Sequence, residues 1–378
     1  MATSVLVLGA GFGGLELSSR LAHELGGEVD VTLIDRADAF VFGFTKLHVL
    51  LGLQDLEDVR IPYTELATPG VRFRRETVRE IDPVAHRVAT DESSYEADVL
   101  VVALGADYDV AATPGLAECG HEFYSVAGVQ EARAALREFT EGTVIVGVCG
   151  PQFKCPPAPS EAAIMLDEAL RARGTRGGAT IRVVTPVPAP VPPSPETSKV
   201  ILERFEERGI DFLPGHRVVS LDQGTRQALL DDGTRMPFDL FLGVPVHRAP
   251  SVVTESGLAA EDGWIAVDQR TLATRFPGVY AVGDVTSVGT ARAGVFAENA
   301  ARSVADHVIA RVRGEPEPPG FDGTGSCYIE FGDRRVARVD VDFFSTPGKP
   351  IAKFTPASAQ TADEKDSFAS TRRARWFS

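Results

Sequence analysis

Apolar residues in this chain gather in short unbroken runs, separated by stretches whose apolar positions recur every three or four residues. The first run, Val5–Leu8, is β-branched and uninterrupted, so it reads as a strand buried on both faces. Leu15, Leu17 and Leu21 come next at helical spacing, and Val29–Ile34 reads as a second strand. Further buried strands are expected at 98–103, 143–147, 180–185 and 238–244, with helices at 129–139, 162–173, 198–208 and 290–311. Strands alternating with helices in this way predict an α/β chain with parallel sheets. Shorter runs at 71–73, 77–81 and 87–89 read as a small β element, and 327–331 and 335–343 as strands of a C-terminal part. The proline-rich stretch 186–195 reads as a stiff loop between core elements.

The turn after the first strand carries Gly9, Gly11 and Gly14 at G-x-G-x-x-G spacing. Each has a reason to lack a side chain: Gly9 for the tight turn, Gly11 for close approach of a pyrophosphate, Gly14 for packing the helix against the strand. Asp35 ends the second strand, where a carboxylate can accept hydrogen bonds from a ribose diol. Strand, glycine turn, helix and terminal acid together predict a dinucleotide site, without separating FAD from NAD. The strand at 98–103 returns to a second glycine turn at Ala103 and Gly105. A third signal is Gly283-Asp284, placed after a strand and before a helix behind Gly294; its carboxylate can hold a ribityl hydroxyl. The candidate cofactor contacts are therefore Gly9, Gly11, Phe12, Gly13, Gly14, Asp35, Arg36, Val78, Ala103, Gly105, Gly283, Asp284 and Gly294.

A second dinucleotide motif is expected after the strand at 143–147 and is missing. Counting from Gly147, Cys149 and Gln152 stand where the second and third glycines belong. A side chain at 149 obstructs the pyrophosphate, and Pro151 removes an amide donor. The chain continues instead into Cys155-Pro-Pro-Ala-Pro-Ser-Glu161. The aromatic run Phe40–Phe44 reads as a buried loop near the ligand, with Lys46 and His48 simply solvated.

Composition narrows the function class. A formal charge of −15 over 378 residues argues against nucleic acid and against general attraction to anionic lipid. No apolar run approaches the length of a membrane span. The first strand leaves no room for a leader before it, so the expected location is the cytoplasm, with peripheral contact at the inner membrane face as the weaker reading. Cys119, Cys149, Cys155 and Cys327 are too few and too scattered for a disulfide scaffold, and no His/Cys cluster has metal-ligand spacing, so no metal is expected. The tail holds Arg372, Arg373 and Arg375 beside Trp376 and Phe377, and the preferred reading packs the aromatics on the body and leaves the arginines in water.

These motifs together resemble the two-dinucleotide-domain flavoproteins, the superfamily of pyridine nucleotide–disulfide oxidoreductases. The Cys155–Glu161 segment, with Cys327-Tyr328, is similar to the flavoprotein subunit of flavocytochrome c sulfide dehydrogenases and to sulfide:quinone oxidoreductases. The resemblance implies two Rossmann-like domains: an FAD domain (1–108 and 250–312) with an inserted degenerate NAD-like domain (109–249), plus a small C-terminal domain (313–378). It implies FAD as cofactor, a redox disulfide between Cys155 and Cys327 beside the flavin, and Glu161 as proton acceptor. Glu161 also fits a helix first turn, where the dipole favours an acid. The implied reaction is oxidation of sulfide or a small thiol, with electrons passing to a quinone or another acceptor. Cys149 reads as core, and Cys119 matches the family's third cysteine poorly. Two departures weaken the acceptor assignment: the dehydrogenase subunit is exported, and the quinone reductases end in amphipathic helices, whereas this tail is short and polar. The rivals are an NAD(P)H:acceptor oxidoreductase of the same fold and a low-turnover flavin redox sensor.

Overall fold

The computed structural model describes residues 2–377, so the outermost expected domain limits, 1 and 378, lie outside the described residues. The first apolar run becomes the strand Thr3–Leu8, central in a parallel five-stranded sheet. Its neighbours are Val29–Asp35 on one side and Val99–Val102 on the other, with Val71–Arg75 and Val279–Ala281 at the edges. Residues 71–75 thus extend the main sheet; they do not belong to the small β element expected there, which is Val78–Asp82, Arg87–Thr90 and Ser94–Glu96. Arg72, Arg74 and Arg75 mask the pattern, because an edge strand exposes alternate positions to water.

A second parallel sheet has the same construction: His121–Glu122, Leu240–Val244, Gly142–Val148, Ala179–Thr185 and Ile210–Pro214, in that order. An antiparallel pair, Asp107–Asp109 with Val246–Arg248, joins the two sheets' chains. In both sheets the strand order reverses beside the central strand, and ligands of such sheets sit at the carboxyl ends of the strands at that point.

The helices start earlier than apolar periodicity alone predicts, at Val126, Ala158 and Pro195. Ser125 and Ser194 cap two of them, accepting from the amides of Gly128 and Thr197. The last long helix of the first sheet begins only at Gly294, not at 290. After it comes an antiparallel meander, Thr324–Glu330, Val336–Asp342 and Ile351–Ser358. Its third strand and the subsequent helix Ala359–Phe377 lie where no element was expected.

That C-terminal helix is fastened, not loose. Trp376 is fully buried and meets Phe12, Phe40 and Phe42, and its indole N–H donates to Glu16 Oε2 at 2.9 Å. The aromatics pack on the body and Arg373 stays exposed, as expected, but the other two arginines are not simply left in water. Arg372 and Arg375 pair with Glu298, which is inaccessible to solvent, and Arg375 also pairs with Glu16. Buried carboxylates require such partners. Among the described residues no helix is long and apolar enough to cross a membrane.

Candidate redox and cofactor site

A cavity of about 480 Å³ runs from the first glycine turn to Cys155 and Cys327. Every cofactor and redox residue expected from the sequence lines it except Gly14. The four strands Thr3–Leu8, Val29–Asp35, Val99–Val102 and Val279–Ala281 end at it, delivering Gly9–Gly13, Asp35, Ala103–Gly105 and Gly283-Asp284 respectively.

The glycine turn can be tested against a dinucleotide. Gly9 has φ +99°, and a Cβ there would lie 2.4 Å from the Ala103 carbonyl. A Cβ on Gly14 would lie 1.8 Å from the Gly9 carbonyl, so the helix can approach the strand only because that position is bare. Gly11 differs: its backbone is extended, and a Cβ would meet nothing within 4 Å. The space beside it is cavity. That is the cradle a pyrophosphate requires, at the start of the helix Phe12–Leu25, so these residues fit the group.

Asp35 accepts from the amides of Ala10 (2.6 Å) and Ala37 (2.8 Å); burial pushes its carboxyl up, and those amides act against the rise. Burial likewise raises Asp284, opposed by Lys154, Arg292 and Lys46. Arg36 reaches Asp107 at 2.9 Å on the exposed rim.

Cys155 has φ +53°, a left-handed conformation that non-glycine residues seldom adopt. Its amide donates to the Arg292 carbonyl (2.7 Å), and its own carbonyl accepts from Ala158 (2.8 Å), which hold the turn in place. Strain of this kind concentrates where a side chain must be aimed. Cys155 Sγ lies 3.9 Å from Glu161 Oε2. Cys327 enters from the C-terminal meander. All four cysteines are free thiols. Burial pushes Cys155 well above the usual thiol range, with Glu161 and then Cys327 adding to it, and pushes Cys327 up to about 12.

Glu161 is buried in the first turn of Ala158–Ala172. Burial raises it to about 7, against the pull of Lys365 and of the Glu330 amide. Cys149 and Cys119 lie elsewhere, in a cluster with Leu116, Ile145 and Phe241 behind the second sheet. Burial pushes Cys149 up to about 12, as it does Cys327, but Cys149 is packed in that apolar cluster and does not line the cavity. Gln152 hydrogen-bonds Arg292 at 2.6 Å, and that guanidinium lies 3.9 Å over the Trp264 ring.

Several site residues were not foreseen. Lys46 and His48 are not merely solvated: Lys46 lines the cavity and donates to the Tyr124 carbonyl, and His48 meets Glu330 at 3.3 Å. Lys154 lines the cavity too, 4.6 Å over the Tyr108 ring. Its place immediately before Cys155 was the available signal. Among the described residues no cluster of His, Cys, Asp or Glu is arranged to hold a metal ion.

Fold and site together define a class. The chain matches the model of the pyridine nucleotide-disulphide oxidoreductase family over residues 3–304 and belongs to that family. It is an FAD-dependent oxidoreductase, as the resemblance implied. Among individual proteins it is similar to the mitochondrial sulfide:quinone oxidoreductase of Mus musculus, 26% identical over 361 residues, covering 91% of this chain and 79% of the other. The solved sulfide:quinone oxidoreductase of Aquifex aeolicus superposes with a TM-score of 0.86 at 22% identity, over 100% of this chain and 92% of that one. A type II NADH:quinone oxidoreductase of Staphylococcus haemolyticus is 24% identical over 302 residues, covering 75% of this chain and 74% of its own.

Proposed function

We propose that this chain oxidises sulfide at Cys155 and Cys327 and passes the electrons through FAD to a quinone. The observation that carries the reading is that two cysteines from distant parts of the sequence share one cavity with the FAD glycine turn, one of them 3.9 Å from a buried carboxyl. The likeness to proteins named for sulfide and quinone supports it. A quinone acceptor would bring the chain to the inner face of a membrane as a cytoplasmic, peripheral protein.

In the oxidised state Cys155 and Cys327 form a disulfide. Hydrosulfide attacks one sulfur: a new S–S bond forms to the attacked cysteine, the old one breaks, and the other cysteine leaves as thiolate. Glu161 takes the proton that the sulfide gives up. A second hydrosulfide displaces the persulfide sulfur, leaving both cysteines reduced and the two substrate sulfurs joined. The glycine turn, Asp35 and Asp284 would hold FAD, which would supply a two-electron acceptor able to restore the disulfide and pass the electrons on. Lys154 and Lys46 place positive charge in the same cavity, where hydrosulfide must be held.

The test is anaerobic addition of sulfide, and separately of NADH, to the purified yellow protein. Sulfide is expected to bleach the flavin within the dead time of manual mixing, and added quinone to restore it. NADH is expected to bleach it slowly or not at all. The likeness to an NADH:quinone oxidoreductase favours the rival reading, but Cys149 fills the second glycine's place and Gln152 is engaged by Arg292. Saturable reduction by micromolar NADH at catalytic rates overturns this and promotes the rival.

The acceptor role of Glu161 has a pH signature. The group must be ionised to take a proton, so sulfide-driven reduction should fall as pH drops through about 7, roughly tenfold per unit beyond it. Glu161→Gln should lose this acidic limb and slow the reaction about a hundredfold. A limb that persists in Glu161→Gln assigns the proton to another group.

A further inference from the structure

Glu161 is enclosed by ionisable groups from several parts of the chain. Cys155 reaches it from its own loop, Cys327 and Glu330 from the strand Thr324–Glu330, Tyr124 from the segment before Val126, His48 from the helix Thr45–Leu50, and Lys365 from the C-terminal helix. Glu330 is the joint of this cluster. Its backbone N–H donates to Glu161 Oε1 at 3.0 Å. Its side-chain Oε1 receives Lys365 Nζ at 2.5 Å and His48 Nε2 at 3.3 Å. His48 Nδ1 in turn faces Gln54 Oε1 at 3.0 Å.

Lys365 is only 4% exposed, on a helix that is otherwise largely polar. Its ammonium lies 4.8 Å over the Phe44 ring, itself part of the cavity wall. A lysine buried in this way is costly unless its charge is used. The ion pair with Glu330 compensates it, and the same ammonium acts on Glu161, which accepts from the Glu330 amide.

We propose that Lys365, delivered by the C-terminal helix, is a positioning residue for the sulfur chemistry: together with Glu330 it sets the protonation of Glu161, so the site is competent to take a proton only when that helix is docked. This rests on the reading of Glu161 as the proton acceptor. Burial alone would hold Glu161 neutral, and of the groups that favour its ionised form Lys365 acts most strongly, with the Glu330 amide second; the Glu330 carboxylate opposes them and His48 assists. Glu330 itself stays ionised. Burial would raise it, but the His48 hydrogen bond and Lys365 hold it down at about 2. The two acids therefore divide the work, one permanently charged and one titrating near neutrality.

The signs separate this from a purely structural ion pair. Lys365→Met removes the attraction and leaves the Glu330 charge less compensated, so Glu161 should ionise at higher pH. Glu330→Gln removes the repulsion and releases the ammonium's field, so Glu161 should ionise at lower pH. Lys365→Arg keeps the charge and should stay close to wild type. The measurement is an infrared pH titration of the full-length holoprotein, with the Glu161 carboxyl band assigned by its loss in Glu161→Gln. Midpoints displaced about one pH unit upward in Lys365→Met and about one unit downward in Glu330→Gln support the proposal. Midpoints unchanged in both overturn it and leave Lys365 a structural residue. Should Lys365→Met fail to fold, Glu330→Gln decides alone: an unchanged or upward midpoint overturns the proposal. The acidic limb of sulfide-driven reduction, read by stopped flow in the same variants, should move with the infrared midpoint. A limb that stays put while the midpoint moves overturns the proton-acceptor reading beneath the proposal, and with it the link to the chemistry.

Discussion

Cys155→Ser and Cys327→Ser should each bind FAD normally and each lose sulfide-driven bleaching by about a thousandfold or more. Exchange needs an electrophilic sulfur and a leaving sulfur, so either substitution removes the whole relay. The double variant should be little worse than either single one, because residues that act as a unit are not additive. Cys149→Ser should keep the reaction, since that thiol is packed among apolar side chains away from the cavity. A chemical reductant should still bleach every variant, which separates loss of the sulfur relay from loss of the flavin. Wild-type rates of sulfide reduction in either single serine variant would remove the disulfide mechanism and leave both cysteines structural.

The second large effect divides two glycines of one motif. Gly11→Val should give a folded, colourless protein, because its backbone is extended and the new side chain projects only into cavity. Gly14→Val should not fold stably. Its Cβ would lie 1.8 Å from the Gly9 carbonyl and 3.3 Å from Leu33, so the helix Phe12–Leu25 must lift from the sheet. Overpacking costs about 1–3 kcal/mol where neighbours can give, and a backbone carbonyl gives little. Circular dichroism and flavin absorbance together read the difference. A Gly11→Val protein with full flavin absorbance would take the pyrophosphate away from this turn.

How far the sequence could be read depends on the make-up of each element. The two parallel sheets announce themselves because strands buried on both faces must be apolar throughout. The glycine turn is visible because three positions must be bare at fixed spacing, and at Gly9 and Gly14 the backbone packing requires it. The left-handed turn at Cys155 was hidden, since it is fixed by the Arg292 carbonyl, a partner remote in the chain. The C-terminal helix was hidden for a different reason. Its sides are covered with charge, and buried acids of other helices, Glu16 and Glu298, meet its arginines where an apolar stripe would normally lie. His48 was misread on similar grounds: nothing near it in sequence shows Glu330, which arrives from the far end of the chain.

The contact between Phe12 and Trp376 also has a bearing on biosynthesis. The glycine turn leaves the ribosome long before the indole that packs on its phenylalanine, which stands at position 376. At about 5–20 residues per second, the wait is on the order of half a minute. Through that interval Phe12, Phe40 and Phe42 stand without the ring that covers them in the finished protein. A ribosome stalled short of Trp376 therefore leaves a sticky aromatic shelf where the finished protein has a closed wall.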